Sequence, residues 1–393
     1  MTNTDVRLPV PDLTDDALAA VAAEIAETAA EYDRTAGVPV RGLAVAHRAG
    51  LLTATVARRH GGAETGPRDT ARILAALGEG DPSVALIAAN TLMAHASQAA
   101  NPHWPAAFHD DLLARSAVGP APVNAIRAEP DLGAPARGGL PKTTARRTAS
   151  GWVLDGHKAY ATGGTALAYH VVWAVADEPD GDPAAPRVGH VLVPGDRPGI
   201  TWHDTWDHLG LRASNTHDVT YEGVELPPEA FVEIPRGADG VYRDPAATAG
   251  PGSLGHVALY VGVARAARRA FADFAHSRVP AALGRPIATT ERIQSVAGEV
   301  DLWIAQAETL LHGALLRLEA GEESVLPQLS VIKVAIARSV VTAVQTAVAA
   351  LGNPALSRHH PLERHLRNVL CVRVHPPQED TALLAAGRRV LGG

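Results

Sequence analysis

Apolar residues recur at helical spacing near the N-terminus of the chain and again throughout its last third. The first such stripe follows Thr14, a good helix-capping residue, and consists of Leu18, Val21, Ile25 and Ala29. The same periodicity predicts further helices over residues 40–59, 69–77 and 83–98. In the last third it predicts long helices over 255–274, 290–320 and 327–351, and helices of that length are typical of a bundle.

The middle of the chain has a different pattern, because short β-rich runs alternate there with turn residues. The predicted strands cover residues 152–154, 170–176, 189–193, 200–203 and 218–221. The sequence therefore predicts an α+β fold that is mostly α. It has an N-terminal helical domain over 1–118, a small β-barrel or sandwich over 119–233 and a C-terminal helical bundle over 234–393.

Composition narrows the possible partners. The chain has 393 residues, of which 46% are hydrophobic, and a net charge of -7, which argues against nucleic acid or an anionic membrane as its partner. A single cysteine, Cys371, excludes a disulfide framework and a cysteine-based metal cluster. No signal peptide is visible, and the longest apolar stretch, 340–351, is too short to span a bilayer, so we expect a cytoplasmic protein.

Four motifs occur in an order and spacing that together indicate a family. Residues 156–164 resemble the pattern GxKxWITNG, and residues 208–216 resemble KMGxRGSxT. A VxVP-like stretch follows at 224–227, and residues 49–62 resemble AGLxxxxxPxxxGG without its proline. The chain thus resembles the acyl-CoA dehydrogenase superfamily over nearly its whole length.

This resemblance implies a flavoprotein with a C-terminal four-helix bundle. It places Tyr160 beside the flavin ring and Thr162 near the flavin N5 edge, where a flavin needs an aromatic wall and hydrogen-bond donors. The other positions that it assigns to cofactor binding are Gly163, Arg212, Ser214 and Gly352. It also implies a homotetramer or homodimer, because flavin sites in the family borrow residues from a neighbouring subunit.

The family's catalytic base is missing from the position where the resemblance places it. The pattern ERxxRDxxxxxIYEGTxxIQ aligns with residues 363–382 without a gap, so that YEG falls on His375, Pro376 and Pro377. A proline cannot remove a substrate proton. Some members carry the base on the first bundle helix instead, which projects near Leu254, but no Asp or Glu occurs from 246 to 272.

The expected nucleotide contacts are also reduced. The TEPGAGSD motif reads here as residues 128–135 with alanines in place of its hydroxyl residues, and the arginine of RxxFG is absent from 280. The QxxGGxG loop retains only Ala349, Gly352 and Asn353 at matching places. These losses make FMN, or a loosely held reduced flavin, as plausible as FAD.

Superfamily members without the glutamate are typically flavin-dependent monooxygenases, such as the dibenzothiophene monooxygenase-like enzymes and the sugar N-oxygenases. The resemblance then implies a two-component enzyme that takes reduced flavin from a separate reductase and uses O₂ to oxygenate a small aromatic, heteroatom or amino substrate. His375 and His95 are the candidate catalytic residues, because an imidazole can donate or accept a proton near neutral pH.

Two rival hypotheses remain open, and two further motifs are interpreted as structural. The chain could be an acyl thioester dehydrogenase with a displaced base such as Glu379, or a non-catalytic relative that acts as a binding partner. The GxGxxG match at 250–255 is interpreted as a helix entry, because no strand precedes it. The histidines at 359, 360, 365 and 375 lack the acidic companions of a metalloprotease motif, so no metal site is predicted.

Overall fold

The computed structural model of the chain describes residues 7–132, 139–182, 185–237, 240, 242 and 251–392, with the side chains of 251–253 excepted. Five helices form the N-terminal part. They are α1 (Asp15–Thr35), α2 (Val40–Arg48), α3 (Pro67–Gly80), α4 (Pro82–Ala100) and α5 (Ala106–Val118). The predicted helix start is confirmed, because the Thr14 hydroxyl accepts a hydrogen bond from the Ala17 amide at 3.3 Å.

The prediction of one helix over 40–59 is wrong. Helix α2 ends at Arg48, and Gly50 follows with a φ of 71°, a left-handed conformation that stops a helix and favours glycine. Residues 58–60 form only a short 3-10 turn. Between α3 and α4 a single residue, Asp81, separates the helices and caps the second of them by accepting from the Ser83 amide at 2.8 Å.

Eight strands occupy the middle of the described chain. They are β1 (Val123–Ile126), β2 (Thr144–Thr148), β3 (Gly151–Ala161), β4 (Tyr169–Asp177), β5 (Val188–Pro194), β6 (Ile200–His203), β7 (His217–Leu226) and β8 (Phe231–Glu233). They form one sheet in the order β6-β7-β3-β2-β4-β5-β8, with β1 paired in parallel to β4. Strand β3 is much longer than the predicted strand over 152–154 and carries most of the GxKxWITNG-like motif.

The sheet is strongly curled. Strands β7 and β8 hold the second and last positions of the seven-strand order, yet only the residues between Leu226 and Phe231 connect them. A flat sheet would place them about 24 Å apart, whereas a connection of this length reaches about 18 Å at most. The Trp152 indole stacks on Phe231 with ring centroids 4.8 Å apart, which joins the two ends of the curl. This barrel-like shape agrees with the predicted small barrel or sandwich.

The C-terminal part is helical, as predicted. It consists of α6 (Pro251–Ser277), α7 (Glu291–Glu319), α8 (Leu329–Leu351), α9 (Asn353–Leu356), α10 (Pro361–Leu370) and α11 (Glu379–Leu391). Helix α6 begins inside the GxGxxG match, whose first glycine lies outside the described residues. Among the described residues, Glu323–Leu351 is long and apolar enough to cross a bilayer, but more than half of its most apolar window is buried within the protein, as in a core helix.

Helices α3 and α6 cross closely enough for their backbones to touch. A Cβ atom added at Gly78 would overlap the carbonyl group of Leu259, and one added at Gly262 would overlap that of Ala75. The two glycines thus allow an approach that no other residue type permits. Because α3, α4 and α6 belong to one continuous apolar cluster, the N-terminal helices and the C-terminal bundle share a core.

Candidate active site

Three buried hydroxyl groups meet where β3 ends and β7 begins. The Thr162 and Thr216 hydroxyls lie 3.0 Å apart, and the Ser214 hydroxyl lies 2.7 Å from that of Thr216. The Gly163 amide donates to the Ser214 carbonyl at 2.9 Å, and the Asn124 amide group on β1 donates to the Thr162 carbonyl at 3.0 Å. The structure therefore brings three predicted cofactor residues together and adds Asn124, which sequence reasoning missed.

The backbone beside this hydroxyl cluster departs from regular strand geometry. Tyr160, Leu211 and Asn215 all have positive φ, with values of 58°, 52° and 46°, although none of them is glycine. Such conformations persist only where the surrounding structure holds them, and they concentrate at functional sites. The Tyr160 side chain is 61% exposed, so its ring presents an open aromatic face at the edge of the cluster.

Arg212 and Gly352 lie apart from these hydroxyls in their bonding. The Arg212 guanidinium donates to the Asp33 carbonyl at 2.9 Å and to the His208 carbonyl at 3.2 Å, which ties the 208–216 turn to α1. Gly352 ends α8 with a φ of 67°. Within the described ranges no recorded hydrogen bond joins either residue to the cluster, so their assignment to the cofactor stays a prediction.

A buried ion pair fixes the loop that replaces TEPGAGSD. The Lys158 ammonium, fully buried on β3, donates to the Glu129 carboxylate at 2.8 Å, and the Thr143 hydroxyl donates to the same oxygen at 2.7 Å. Burial lowers the pKa of Lys158 to about 8, although Glu129 opposes this shift. The Ala159 amide also donates to the Ala128 carbonyl at 2.9 Å. The motif's residues 133–135 lie outside the described residues.

His95 is buried on α4 without a hydrogen-bonding partner. Its side chain is 1% exposed, and neither ring nitrogen has a partner within the described part of the chain. Burial, with a smaller contribution from His109, lowers the pKa of His95 to about 3, so the ring is neutral. One turn earlier on the same face, the Thr91 hydroxyl accepts from the Val123 amide at 3.1 Å, which places this face of α4 against β1.

His375 lies against α6, just after the 3-10 turn Cys371–Arg373. The hydroxyl of Tyr260 is 3.3 Å from His375 Nδ1, and the His256 ring contacts the His375 ring edge-on with centroids 5.6 Å apart. Burial, with His256 and Lys333, lowers the pKa of His375 to about 3. Burial also raises the pKa of the fully buried Tyr260 well above its ordinary range, so the phenol keeps its proton.

The sequence contains a signal for His256 and Tyr260, although the sequence prediction considered only acidic residues in this region. His256 and Tyr260 stand four residues apart, so they share one face of α6. They follow Leu254, the projected position of the alternative base, by two and six residues. A search for any titratable side chain near that position, rather than for a carboxylate, would have found them.

Glu379, the candidate displaced base, is held at the surface. Its carboxylate accepts from the Arg338 guanidinium at 2.6 Å, and its side chain is 41% exposed. Glu379 and Asp380 lie in the first turn of α11, where the helix dipole favours negative charge.

The remaining C-terminal histidines have structural positions. His360 caps α10 by accepting from the Leu362 amide at 3.2 Å, and His365 is buried on that helix with its pKa lowered to about 3 by burial. In the part of the chain that the structure describes, no three His, Cys, Asp or Glu side chains gather in a metal-binding arrangement.

Family profiles match the chain in three consecutive pieces. The profile "Acyl-CoA dehydrogenase, N-terminal domain" matches residues 12–104, the middle-domain profile matches 125–224 and the C-terminal-domain profile matches 254–377. The three matches follow the order of the helical, sheet and helical parts described above.

Individual relatives include proteins named as dehydrogenases and a protein named as a nitrososynthase. "Putative acyl-CoA dehydrogenase YdbM" of Bacillus subtilis (strain 168) is 28% identical over 369 residues, which is 92% of each chain. "L-evernosamine nitrososynthase" of a Micromonospora species is 28% identical over 376 residues, or 90% of this chain and 84% of its own length. These two relatives are equally identical to this chain, although the first is matched over more of its own length.

Among solved structures, that of KijD3 in complex with FMN and dTDP-3-amino-2,3,6-trideoxy-4-keto-3-methyl-D-glucose superimposes with a TM-score of 0.81. It is 25% identical and covers 100% of this chain and 97% of its own. The whole fold is thus shared with a protein that binds FMN.

Proposed function

The chain belongs to the acyl-CoA dehydrogenase family, whose members are flavin-dependent oxidoreductases, and we propose that it is a two-component flavin-dependent monooxygenase acting on a small organic substrate. The observation that carries this proposal is the surroundings of His375. A neutral imidazole lies beside the place of the family's general base, and the charged groups that act on it, His256 and Lys333, are both basic. Such a site offers a neutral hydrogen-bond donor in place of a carboxylate that removes a proton.

The hydroxyl cluster supports a flavin in this fold. Thr162, Ser214 and Thr216 offer hydroxyls to the polar edge of a ring, and the exposed face of Tyr160 offers an aromatic wall. The unpartnered nitrogens of His95 are buried polar atoms that a ligand could satisfy. Overall, one reduced flavin and one O₂ are consumed, one oxygen atom enters the substrate and the other leaves as water.

The contribution of His375 follows from its partner. Because the Tyr260 phenol keeps its proton, we infer that it donates to Nδ1 of His375. A neutral imidazole that accepts at Nδ1 carries its own proton on Nε2. His375 would therefore offer an N–H group to an oxygen atom in the site, and the low pKa keeps the ring from carrying a positive charge.

The names of the relatives narrow the substrate class that we propose. KijD3 binds a 3-amino sugar nucleotide together with FMN, and the Micromonospora relative is named as an L-evernosamine nitrososynthase. We therefore propose an amino substrate first, ahead of aromatic or other heteroatom substrates, and FMN ahead of FAD. A separate flavin reductase, a homotetramer or homodimer and a cytoplasmic location complete the proposal.

The proposal is tested by supplying reduced FMN or FAD anaerobically and then adding O₂ together with the amino sugar nucleotide bound by KijD3. Oxygenated product and released hydrogen peroxide are both quantified. Product that depends on protein and reduced flavin supports the monooxygenase. If an acyl-CoA instead bleaches the oxidised flavin in the absence of O₂, the chain is a dehydrogenase; if neither flavin binds, it is a non-catalytic relative.

We expect His375→Ala to release most of the consumed oxygen as hydrogen peroxide while flavin binding is retained. Loss of one positioned donor lowers a chemical step by about 10²-fold or more. The ratio of product to peroxide measures this effect. His359→Ala, at an exposed histidine in the same segment of the chain, is the matched control and should leave the ratio unchanged. Unchanged coupling in His375→Ala would remove His375 from the mechanism.

A further inference from the structure

The segment that carries His375 contains two residues without backbone hydrogen-bond donors. Pro376 and Pro377 have no N–H groups, and so the local chain lacks the donors that would continue a helical or turn pattern. Buried backbone carbonyls without donors are costly, by about 1–3 kcal/mol each. A donor from another part of the chain would satisfy such carbonyls and hold the segment in one conformation.

Lys333 supplies them from α8. Its ammonium nitrogen lies 3.1 Å from the Val372 carbonyl oxygen, 2.9 Å from that of His375 and 3.2 Å from that of Pro377. An ammonium group has three protons, and all three are thus directed at backbone oxygens of one short segment. The geometry encloses the residue at 375 from both sides along the chain.

This arrangement is unusual for a buried lysine. Lys333 is 2% exposed, and no carboxylate is among its recorded hydrogen-bond or ion-pair partners in the described chain, whereas Lys158 is paired with Glu129. Burying an ammonium group without a counter-ion is unfavourable unless several hydrogen bonds compensate for lost water. Burial lowers the pKa of Lys333 to about 8, although the Glu379 carboxylate opposes this shift. The hydrogen bonds to the segment around His375 account for the burial of this ammonium group.

We propose that Lys333 is a positioning residue for His375. Its ammonium group holds His375 in place by donating hydrogen bonds to the backbone carbonyls of Val372, His375 and Pro377. His375 is then held from three directions, with the Lys333 ammonium at its backbone, the Tyr260 hydroxyl at Nδ1 and the His256 ring at its edge. The catalytic consequence rests on the monooxygenase proposed above, whereas the positioning itself does not.

The first experiment measures positioning without catalysis. Lys333→Met keeps the length of the side chain and removes the ammonium, and hydrogen exchange is followed by mass spectrometry on peptides that cover residues 371–379. We expect exchange there to rise by about tenfold or more, while peptides from α3 and β3 stay unchanged. The matched control is Arg338→Ala, which removes an exposed tie between α8 and Glu379. Its exchange at 371–375 should equal that of the unsubstituted chain.

The titration of His375 gives a second readout. The groups that face it are His256 and Tyr260 on α6 and Lys333 on α8. Removing the Lys333 charge and loosening the segment both favour protonation of the ring. The pKa of His375, followed through its ring C–H resonance, should therefore rise in Lys333→Met and stay low in Arg338→Ala. If neither the hydrogen exchange at 371–379 nor the pKa of His375 changes in Lys333→Met, the proposal is overturned.

The third experiment restores the missing group chemically. Lys333→Ala leaves a cavity that matches n-propylamine, and adding propylammonium should return exchange at 371–379 toward that of the unsubstituted chain. In the oxygenase assay the same variant should release more peroxide per product and recover coupling with propylammonium. If the unsubstituted chain makes no oxygenated product, the proposed function fails while the exchange and titration results still decide the role of Lys333.

A measurement on the unsubstituted chain covers the case in which both variants fail to fold. An ammonium whose three protons are all donated exchanges slowly with water, so Lys333 should give an observable ¹⁵N–¹H correlation at pH 6 in the cold. Coupling from that nitrogen to the carbonyl carbons of Val372, His375 and Pro377 would support the proposal. Absence of the correlation would overturn it.

Discussion

At the scale of single residues, His95 combines burial with a lack of partners. Its imidazole is nearly inaccessible, and both nitrogens lack partners within the described chain. A buried polar group without a hydrogen bond costs about 1–3 kcal/mol. Because α4 contacts β1, α6 and the 212–214 turn, we propose that His95 serves a ligand rather than the fold.

We therefore expect His95→Leu to raise the free energy of unfolding by about 1–2 kcal/mol, so that the protein unfolds at a higher urea concentration. We also expect the variant to turn over substrate less efficiently. The reason is that leucine fills a similar volume without leaving polar atoms unsatisfied. Equilibrium unfolding and the ratio of product to peroxide measure the two effects.

His170→Leu is the matched control for this change. His170 is also 1% exposed, but its Nδ1 lies 2.9 Å from the Tyr221 hydroxyl, so its replacement breaks a hydrogen bond and should destabilise the protein. If His95→Leu is as destabilising as His170→Leu, His95 is a structural residue and has no place in the site.

At the scale of elements, the crossing of α3 and α6 depends on two glycines. We expect Gly262→Ala to destabilise the protein by about 3 kcal/mol or more, because the added methyl group overlaps the Ala75 carbonyl and the helices must separate. Gly298→Ala on α7 is the control, since nothing lies near its added methyl group, and it should stabilise by about 0.5–1 kcal/mol. Thermal unfolding of both variants checks the prediction; equal effects would contradict it.

The ion pair between β3 and the loop after β1 gives a second prediction for elements. Removing only Lys158, as Lys158→Met, leaves Glu129 buried with a negative charge and should cost about 3–5 kcal/mol of unfolding free energy. Replacing both residues, with Glu129→Leu added, should recover part of that loss. The double-mutant cycle in urea measures the coupling, and fully additive effects would show that the pair does not act as a unit.

At the scale of the whole molecule, buried histidines set the response to acid. Burial lowers the pKa of His95, His365 and His375 to about 3 and that of His170 to about 4. The unfolded chain, whose histidines titrate near 6.5, therefore binds more protons than the folded protein at lower pH. Each group then removes up to about 1.4 kcal/mol of stability per pH unit as the pH falls below 6.5.

Asp81 acts in the opposite direction, because burial raises its pKa to about 6, but one group over a narrower range cannot offset four. We expect the free energy of unfolding in urea to fall steeply between pH 6.5 and pH 4.5. His365→Leu should make this fall shallower. A stability that is level over that range would contradict the burial of these rings.

The parts of the molecule that follow local rules were predictable, and the parts that depend on distant contacts were not. The start of α1 behind Thr14 and the start of β3 near Trp152 could be predicted from neighbouring residues. The end of α2 could not be predicted in this way. A glycine can also occur inside a helix, so the sequence alone does not show that Gly50 adopts the left-handed conformation that ends α2. Asn124 and Lys333 were missed because each reaches its partner across more than thirty residues of chain, and no motif marks them.

The grip of Lys333 on the segment around His375 has a consequence for how such a protein can change over evolutionary time. Within the described chain, the recorded hydrogen bonds of Lys333 all go to peptide oxygens, the portion of a residue that all amino acids have in common. The frame therefore stays intact whichever side chain it presents. A library randomised at position 375 should yield folded proteins that differ only in the chemical group presented there. New reactivity can therefore arise at this position without a change in the fold.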